Sequence, residues 1–278
     1  MVDTTAAVRS LITPHTGPLA SIIPTEYGTM SDLTAIVEPE NGGRVFIKAM
    51  KHRPGGRLTS LLRERDIAPY VESVSPALLW TAEDADWVVL GYEAVEAARS
   101  ANFRPGSADL HTVVRLVQQI GGIPLPDVAA DWRETRWDRF ARDEEEAALF
   151  AGDALLYTDI HPNNFLITTG RAWVVDWSWP TRGAAFIDPA ILALQLIAAG
   201  HTPAGAEATV AHLPGWKGGD PCAITAFAAA QARMYSAFAA RKPGEKWLKA
   251  LLAAAEQWTA YRRTGSGTTE LHGPPPTP

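Results

Sequence analysis

The sequence predicts an α+β protein in two parts, a small β-rich region followed by a larger helical one. Three observations lead there. Strand-like, β-branched runs crowd 1–94. From Glu93 onward the apolar residues recur mostly at helical spacing. A strand-rich interruption, Leu155–Val175, sits inside that helical part. The expected division is 1–94, then 95–262, then a Gly-, Thr- and Pro-rich tail over 263–278 that cannot pack a core and is expected to be disordered.

In chain order, Ser31–Glu38 and Arg44–Met50 are strand candidates, and Asn41-Gly42-Gly43 between them predicts a hairpin turn. Leu58–Ala68 carries Leu58, Leu61, Leu62 and Ile67 on one helical face, and Pro69 is expected to stop it. Leu78–Trp80 and Trp87–Tyr92 form two further strands around the acidic turn Glu83–Asp86. A β-β-α-β-β order implies a twisted antiparallel sheet with one helix packed on it. Beyond it, Asp109–Ile120, Trp132–Phe150, Ile187–Ala199, Ala223–Ala240 and Lys246–Tyr261 have helical patterns.

Composition narrows the function. The 278 residues are 46% hydrophobic and 20% charged, enough to bury one large core or two modest ones. A formal net charge of −6 gives no electrostatic reason to bind nucleic acid or an anionic membrane. Cys222 is the single cysteine, so no intrachain disulfide forms, as suits a reducing cytoplasm. The first residues lack the apolar run of a secretory signal. Asp188 and Gln195 interrupt one apolar stretch, and Gln231 and Arg233 another, so neither reads as a membrane span. A soluble, cytoplasmic protein is expected.

The chemistry concentrates in Leu155–Ser178, LLYTDIHPNNFLITTGRAWVVDWS. Asp159, His161, Asn163 and Asn164 follow an apolar lead. Phe165–Ile167, a Thr-Thr-Gly turn and Trp173–Val175 then predict a hairpin ending on Asp176. Two acids thus emerge at the ends of neighbouring strands, with an amide five residues after the first. Phosphoryl transfer asks for such a set: a carboxylate to orient the attacking hydroxyl, and hard oxygen ligands to keep Mg²⁺ on nucleotide phosphates. An isolated Asp-x-His-Pro-x-Asn string also suits a locally satisfied turn; the hairpin, Asp176 and the later Asp188-Pro189 argue against so local a role.

The order D-x-H-P-x-N, hairpin, V-V-D-W resembles the catalytic segment of the aminoglycoside phosphotransferase and choline kinase family, a branch of the protein-kinase-like superfamily. The resemblance implies a two-lobed protein-kinase-like fold. It implies Asp159 as catalytic base, Asn164 and Asp176 as metal ligands, ATP or GTP with Mg²⁺ as cofactors, and a small hydroxylated acceptor, cationic or sugar-containing. Tyr157 stands where protein kinases have a histidine before the Asp, and Trp177-Ser178 where they have Phe-Gly. His161 fits the small-molecule branch, either bracing the loop or taking part in chemistry.

A kinase also needs a strand lysine for the phosphates and a helix acid to hold it. Lys48 in Val45-Phe46-Ile47-Lys48 resembles that lysine, and Glu64 is preferred over Asp66 and Glu72 because it lies near the core-facing edge of its helix. The phosphate-covering loop falls on Thr25–Ser31, with Gly28 and Ser31, and has one glycine where protein kinases have three. Glu93 and Val95 lie in the interlobe linker, whose backbone would hold the adenine. Asp188 resembles a brace for the catalytic loop. Asp143–Glu146, Trp177 and Trp179 are candidate substrate contacts and Arg182 a candidate phosphate clamp. A solvated helix face is the plainer reading of the acidic run, core packing is at least as fitting for the tryptophans, and exposed arginines are common. Two other functions fit less of the pattern. One is a catalytically silent nucleotide-binding scaffold. The other is a metal-dependent hydrolase on Asp159, His161 and Asp176, for which the usual histidine ligands are too few.

Overall fold

The computed structural model describes residues 4–25, 31–133 and 135–265. By its internal contacts the chain divides into two compact units. One comprises the described residues of Met1–Ala101, Gly122–Trp132 and Tyr157–Thr181; the other those of Asn102–Gly121, Arg133–Leu156 and Arg182–Pro278.

The first unit is built on a sheet. Helix α1 (Thr4–Thr16) and strands β1 (Leu19–Pro24), β2 (Leu33–Pro39) and β3 (Val45–Lys51) lead to helix α2 (Gly56–Val71), then β4 (Leu78–Glu83) and β5 (Trp87–Glu93). Among the described residues these strands form one antiparallel sheet in the order β1-β2-β3-β5-β4. Strand alternation sorts the side chains. Ala35, Val37, Ile47, Ala49 and Val89 go to one face and bury with Val8 and Ile12 of α1. Met50, Val88, Leu90 and Tyr92 go to the other and bury with Leu61 of α2.

Two expectations are corrected here. The sheet carries helices on both faces and not one, because α1 covers the face opposite α2; Pro14 and a weakly apolar pattern hide this helix in the sequence. Pro69 does not stop α2, which runs to Val71. Proline this late in the helix costs one donor, and two further residues still keep helical backbone.

After β6 (Arg99–Ser100), the same unit resumes over Gly122–Trp132 and again at Tyr157. Strands β8 (Phe165–Ile167) and β9 (Ala172–Val174) form the expected hairpin, in register Phe165↔Val174, and β6 pairs with β8. The short strands β7 (Ala154–Leu156) and β10 (Thr181–Gly183) flank this region in sequence.

The second unit is helical: α3 (Leu110–Ile120), α4 (Glu144–Ala148), α5 (Ile187–Ala198), α6 (Pro203–Val210), α7 (Pro214–Lys217), α8 (Pro221–Arg241) and α9 (Lys246–Gly265). α5 is buried nearly all round, as its uniformly apolar sequence requires. Phe227 of α8 anchors an aromatic cluster with Trp137, Phe150 and Phe186. Arg262 of α9 pairs with Glu207 of α6, which also accepts from Trp258 Nε1–H at 2.7 Å. The predicted helix over Trp132–Phe150 is broken. Its described part holds one 3₁₀ turn (Asp138–Phe140) and α4, because Ala141 is extended and Asp143 restarts the helix as its N-cap. α9 continues through 263–265, and the rest of the expected tail lies outside the described residues. Among the described residues no helix is long and apolar enough to cross a membrane.

Candidate active site

Lys48 is placed by the strand period. It pairs with Thr34 of β2 and Leu90 of β5, at the centre of the sheet, and alternation turns it to the α2 face with Phe46 and Met50. There its Nζ donates to Glu64 Oε1 at 2.7 Å and Oε2 at 3.0 Å, and to Asp176 Oδ1 at 3.0 Å. Glu64 comes from the buried face of α2, whereas Asp66 pairs with its neighbour Arg65 and Glu72 is exposed. Burial alone would lower the Lys48 pKa; the two carboxylates outweigh it and hold the ammonium above the ordinary lysine value. Burial pushes the Glu64 carboxyl up, only partly offset by Lys48 and by the Trp177 N–H that Glu64 accepts.

Asp176 follows β9 with φ at 65°, a left-handed conformation that Asp tolerates better than most residues. Burial acts to raise its pKa, but Lys48 and a hydrogen bond from Ser178 Oγ hold the carboxyl below its usual range, so it is anionic at neutral pH. The turn is fastened from α2's side. Ser75 donates to Val174 O at 2.8 Å and accepts from Trp177 Nε1–H at 2.6 Å.

Asp159 and Asn164 form the other half. Asn164 Nδ2 donates to Asp159 Oδ2 at 3.0 Å and to Asp159 O at 3.1 Å, which turns its amide oxygen away from Asp159. Asn164 O in turn accepts from Val175 N at 3.0 Å, joining the loop to the residue before Asp176. The Asp159 side chain is 41% exposed, with His161 Nε2 at 3.7 Å from its Oδ1.

Of the remaining candidates, Ser31 lines one small recess with Lys48, Glu64, Asp176 and Ser178. Gly28 lies outside the described residues. Glu93 ends β5 with its N–H given to Ala77 O at 2.9 Å, and Val95 follows in the loop. Glu93 is three residues beyond Leu90, the partner of Lys48, or about 10 Å along the strand, so these two stand apart from the Lys48–Glu64–Asp176 cluster. Trp177 is 3% exposed and packs edge-on against Tyr157, a core position. Trp179 is half-buried against Gly56. In the helical unit Asp188 is buried in the first turn of α5, and Arg182 pairs with Asp153. In the acidic run, Asp143 caps α4 and Glu146 is buried against Arg142 and Arg233. Ser75 and Ser178, which hydrogen-bond the Asp176 turn, carry no decisive local signal in the sequence, nor does Thr158, whose hydroxyl donates to Trp179 O at 3.0 Å. Ser178 could be suspected as a hydroxyl two residues after the acid, but Ser75 is remote in sequence from everything it holds.

The donor set fits Mg²⁺. Asp176 offers an anionic hard oxygen and Asn164 an amide oxygen, and magnesium is commonly held by so few protein ligands when phosphates and water complete its shell. Among the described residues no three His, Cys, Asp or Glu side chains converge as a zinc site would require.

Solved structures resemble the whole of this architecture. LicA in complex with AMP superposes with a TM-score of 0.61 over 92% of this chain and 98% of its own, at 13% identity. Spectinomycin phosphotransferase APH(9)-Ia, with ADP and spectinomycin, gives 0.57 over 94% and 95%, at 12% identity. The fold is the one these solved structures share, a spectinomycin phosphotransferase among them. A choline/ethanolamine kinase family protein from Mesorhizobium loti has the same fold, with a TM-score of 0.53 over 95% of both chains at 16% identity. No protein-family model matches the sequence, and no curated protein sequence matches it. The kinase-like fold is thus carried by three-dimensional similarity at identities of 12–18%.

Proposed function

We propose that this chain transfers the terminal phosphoryl group of ATP or GTP to a hydroxyl of a small molecule. The observation that carries the reading is the meeting of Lys48 from β3, Glu64 from α2 and Asp176 after β9, at 2.7 and 3.0 Å, within one compact unit. Its support from the neighbours is that structures of this fold hold AMP or ADP, and one holds spectinomycin.

In this reading Lys48 neutralises the phosphates and Glu64 keeps its ammonium aimed. Asp159 orients the acceptor hydroxyl and takes its proton at Oδ1, the oxygen not engaged by Asn164. Asn164 and Asp176 would hold Mg²⁺, which supplies positive charge to the phosphate oxygens when bound. Ser31 would approach the phosphates, as would Gly28, and the backbone at Glu93 and Val95 the adenine. The acceptor class is hydroxylated and either cationic or sugar-containing, as in an aminoglycoside, a macrolide or an amino alcohol, and the protein acts in the cytoplasm.

The test is nucleotide turnover and acceptor mass gain over a panel of aminoglycosides, spectinomycin, macrolides, amino alcohols and sugars, with Mg²⁺. A phosphate-sized mass gain on one acceptor, dependent on Mg²⁺ and nucleotide, is expected. Absence of nucleotide binding and of any transfer would overturn the reading.

A further inference from the structure

Two non-glycine residues of the candidate site have left-handed backbones, Thr158 at φ 68° and Asp176 at φ 65°. Asp is a tolerated occupant of that region, but a β-branched residue there is a true outlier. Thr158 is also buried, at 5% exposure, and directly precedes Asp159. Glycine would take this conformation without strain, so the threonine side chain must be accounted for by what it touches.

Its hydroxyl donates to the main-chain oxygen of Trp179 at 3.0 Å, three residues past Asp176. The preceding residue does the same on the other side: Tyr157 Oη–H donates to Val175 O at 2.5 Å, one residue before Asp176. Two consecutive side chains therefore bracket the turn that carries Asp176, Trp177 and Ser178. Both lie in the segment after β7 that leads directly into Asp159. Resting on the function proposed above, we propose that Thr158 is a positioning residue. Its strained backbone aims a hydroxyl that clasps the Asp176 turn and so fixes the separation between the Asp159 and Asp176 carboxylates. It touches neither nucleotide nor acceptor.

The clasp predicts opposite signs for stability and turnover, a combination that a purely structural threonine does not give. Thr158→Gly relieves the backbone but releases Trp179, so it should melt at or above the wild-type temperature while kcat falls about tenfold or more, as misplaced reacting groups do. Metal-free nucleotide Kd should stay within about twofold, since Lys48 and Glu64 are untouched. Thr158→Ser keeps the hydroxyl and should recover most of kcat. Thr158→Val keeps shape and strain without the hydroxyl, so it should lose kcat like the glycine variant and melt lower. Amide hydrogen exchange across 176–179 should be faster in the Gly and Val variants and near wild type in the Ser variant. That measurement needs no turnover, so it tests the clasp even if wild type phosphorylates nothing, an outcome that would sink the functional reading alone. Wild-type kcat in Thr158→Gly, a Ser variant no better than Gly, or unchanged exchange in all three would overturn the proposal.

Discussion

Lys48→Met isolates the electrostatics of the cluster. Lys48 and Glu64 have side chains only 9% and 6% exposed, so their pair is desolvated, while Asp176 at 34% is partly screened and adds little to stability. Removing one partner of a buried pair leaves an uncompensated charge and costs about 3–5 kcal/mol. For a chain of this size that corresponds to a melting point lower by roughly 6–10 °C. Removing both charges is cheaper than removing one. Lys48→Met/Glu64→Gln should therefore be about 2 kcal/mol more stable than Lys48→Met alone, a coupling opposite in sign to simple addition. The deficit of the single variant should also depend on pH. Without Lys48, burial and Asp176 raise the Glu64 carboxyl further. An acid with a raised folded pKa costs stability above that pKa and returns it as pH falls through it. The gap to wild type should thus be full at pH 8 and shrink towards pH 5. Urea unfolding of the four proteins of the cycle, in metal-free buffer at both pH values, measures all three effects. A Lys48→Met protein within about 1 kcal/mol of wild type, or a double variant less stable than that single one, would refute the reasoning.

Three further outcomes are expected. Asp159→Asn should leave nucleotide binding nearly intact and cut phosphoryl transfer by about 10² or more, read from steady-state kinetics on whichever acceptor the panel yields. Asp176→Ala should abolish the Mg²⁺-dependent part of nucleotide affinity, and Asn164→Ala should weaken it less, because a carboxylate brings charge and an amide only geometry; nucleotide titrations with and without Mg²⁺ separate them. Ser75→Ala strands two groups, Val174 O and Trp177 Nε1–H, and should destabilise by about 2 kcal/mol. Its thermal transition should fall by about 4 °C.

How much of this was legible in the sequence depends on the range of the interaction. Lys48 and its neighbours obey the two-residue period of a strand, so the face they share with α2 can be read from Val45–Met50 directly. Glu64 follows from the spacing of Leu61 and Ile67, and β8–β9 from two apolar runs around a Thr-Thr-Gly turn. What stayed hidden has a physical reason in each case. α1 packs through a few residues, Val8 and Ile12 among them, and carries an internal proline, so its apolar period is faint. The helix expected over Trp132–Phe150 has the right composition, and only the extended backbone at Ala141 and the cap at Asp143 break it. Thr158 gives no sign in the sequence, since a left-handed backbone at a β-branched residue is imposed by the surrounding structure and not by the residue. Ser75 meets Val174 and Trp177 across 99 and 102 residues, beyond any local pattern.

The charges in the cluster lead to one more consequence. Lys48 is a single cation set between the carboxyl groups of Glu64 and Asp176, so with both acids ionised the cluster carries one negative charge in excess. A polyphosphate arriving alone would bring more negative charge to a site that already has an excess of it, in surroundings where burial magnifies the repulsion. Binding becomes favourable only if positive charge arrives with the phosphates and engages Asp176, leaving the lysine to Glu64 and the nucleotide. On this argument Mg²⁺ is a condition of tight nucleotide binding as well as of transfer. Neutralising one acid should relax that condition, and Glu64→Gln is the informative choice because it leaves Asp176 and Asn164 in place. Its metal-free nucleotide affinity should rise above that of wild type, whereas its affinity in saturating Mg²⁺ should not. Equal metal-free affinities in the two proteins would mean that the excess charge of the cluster does not set the metal requirement.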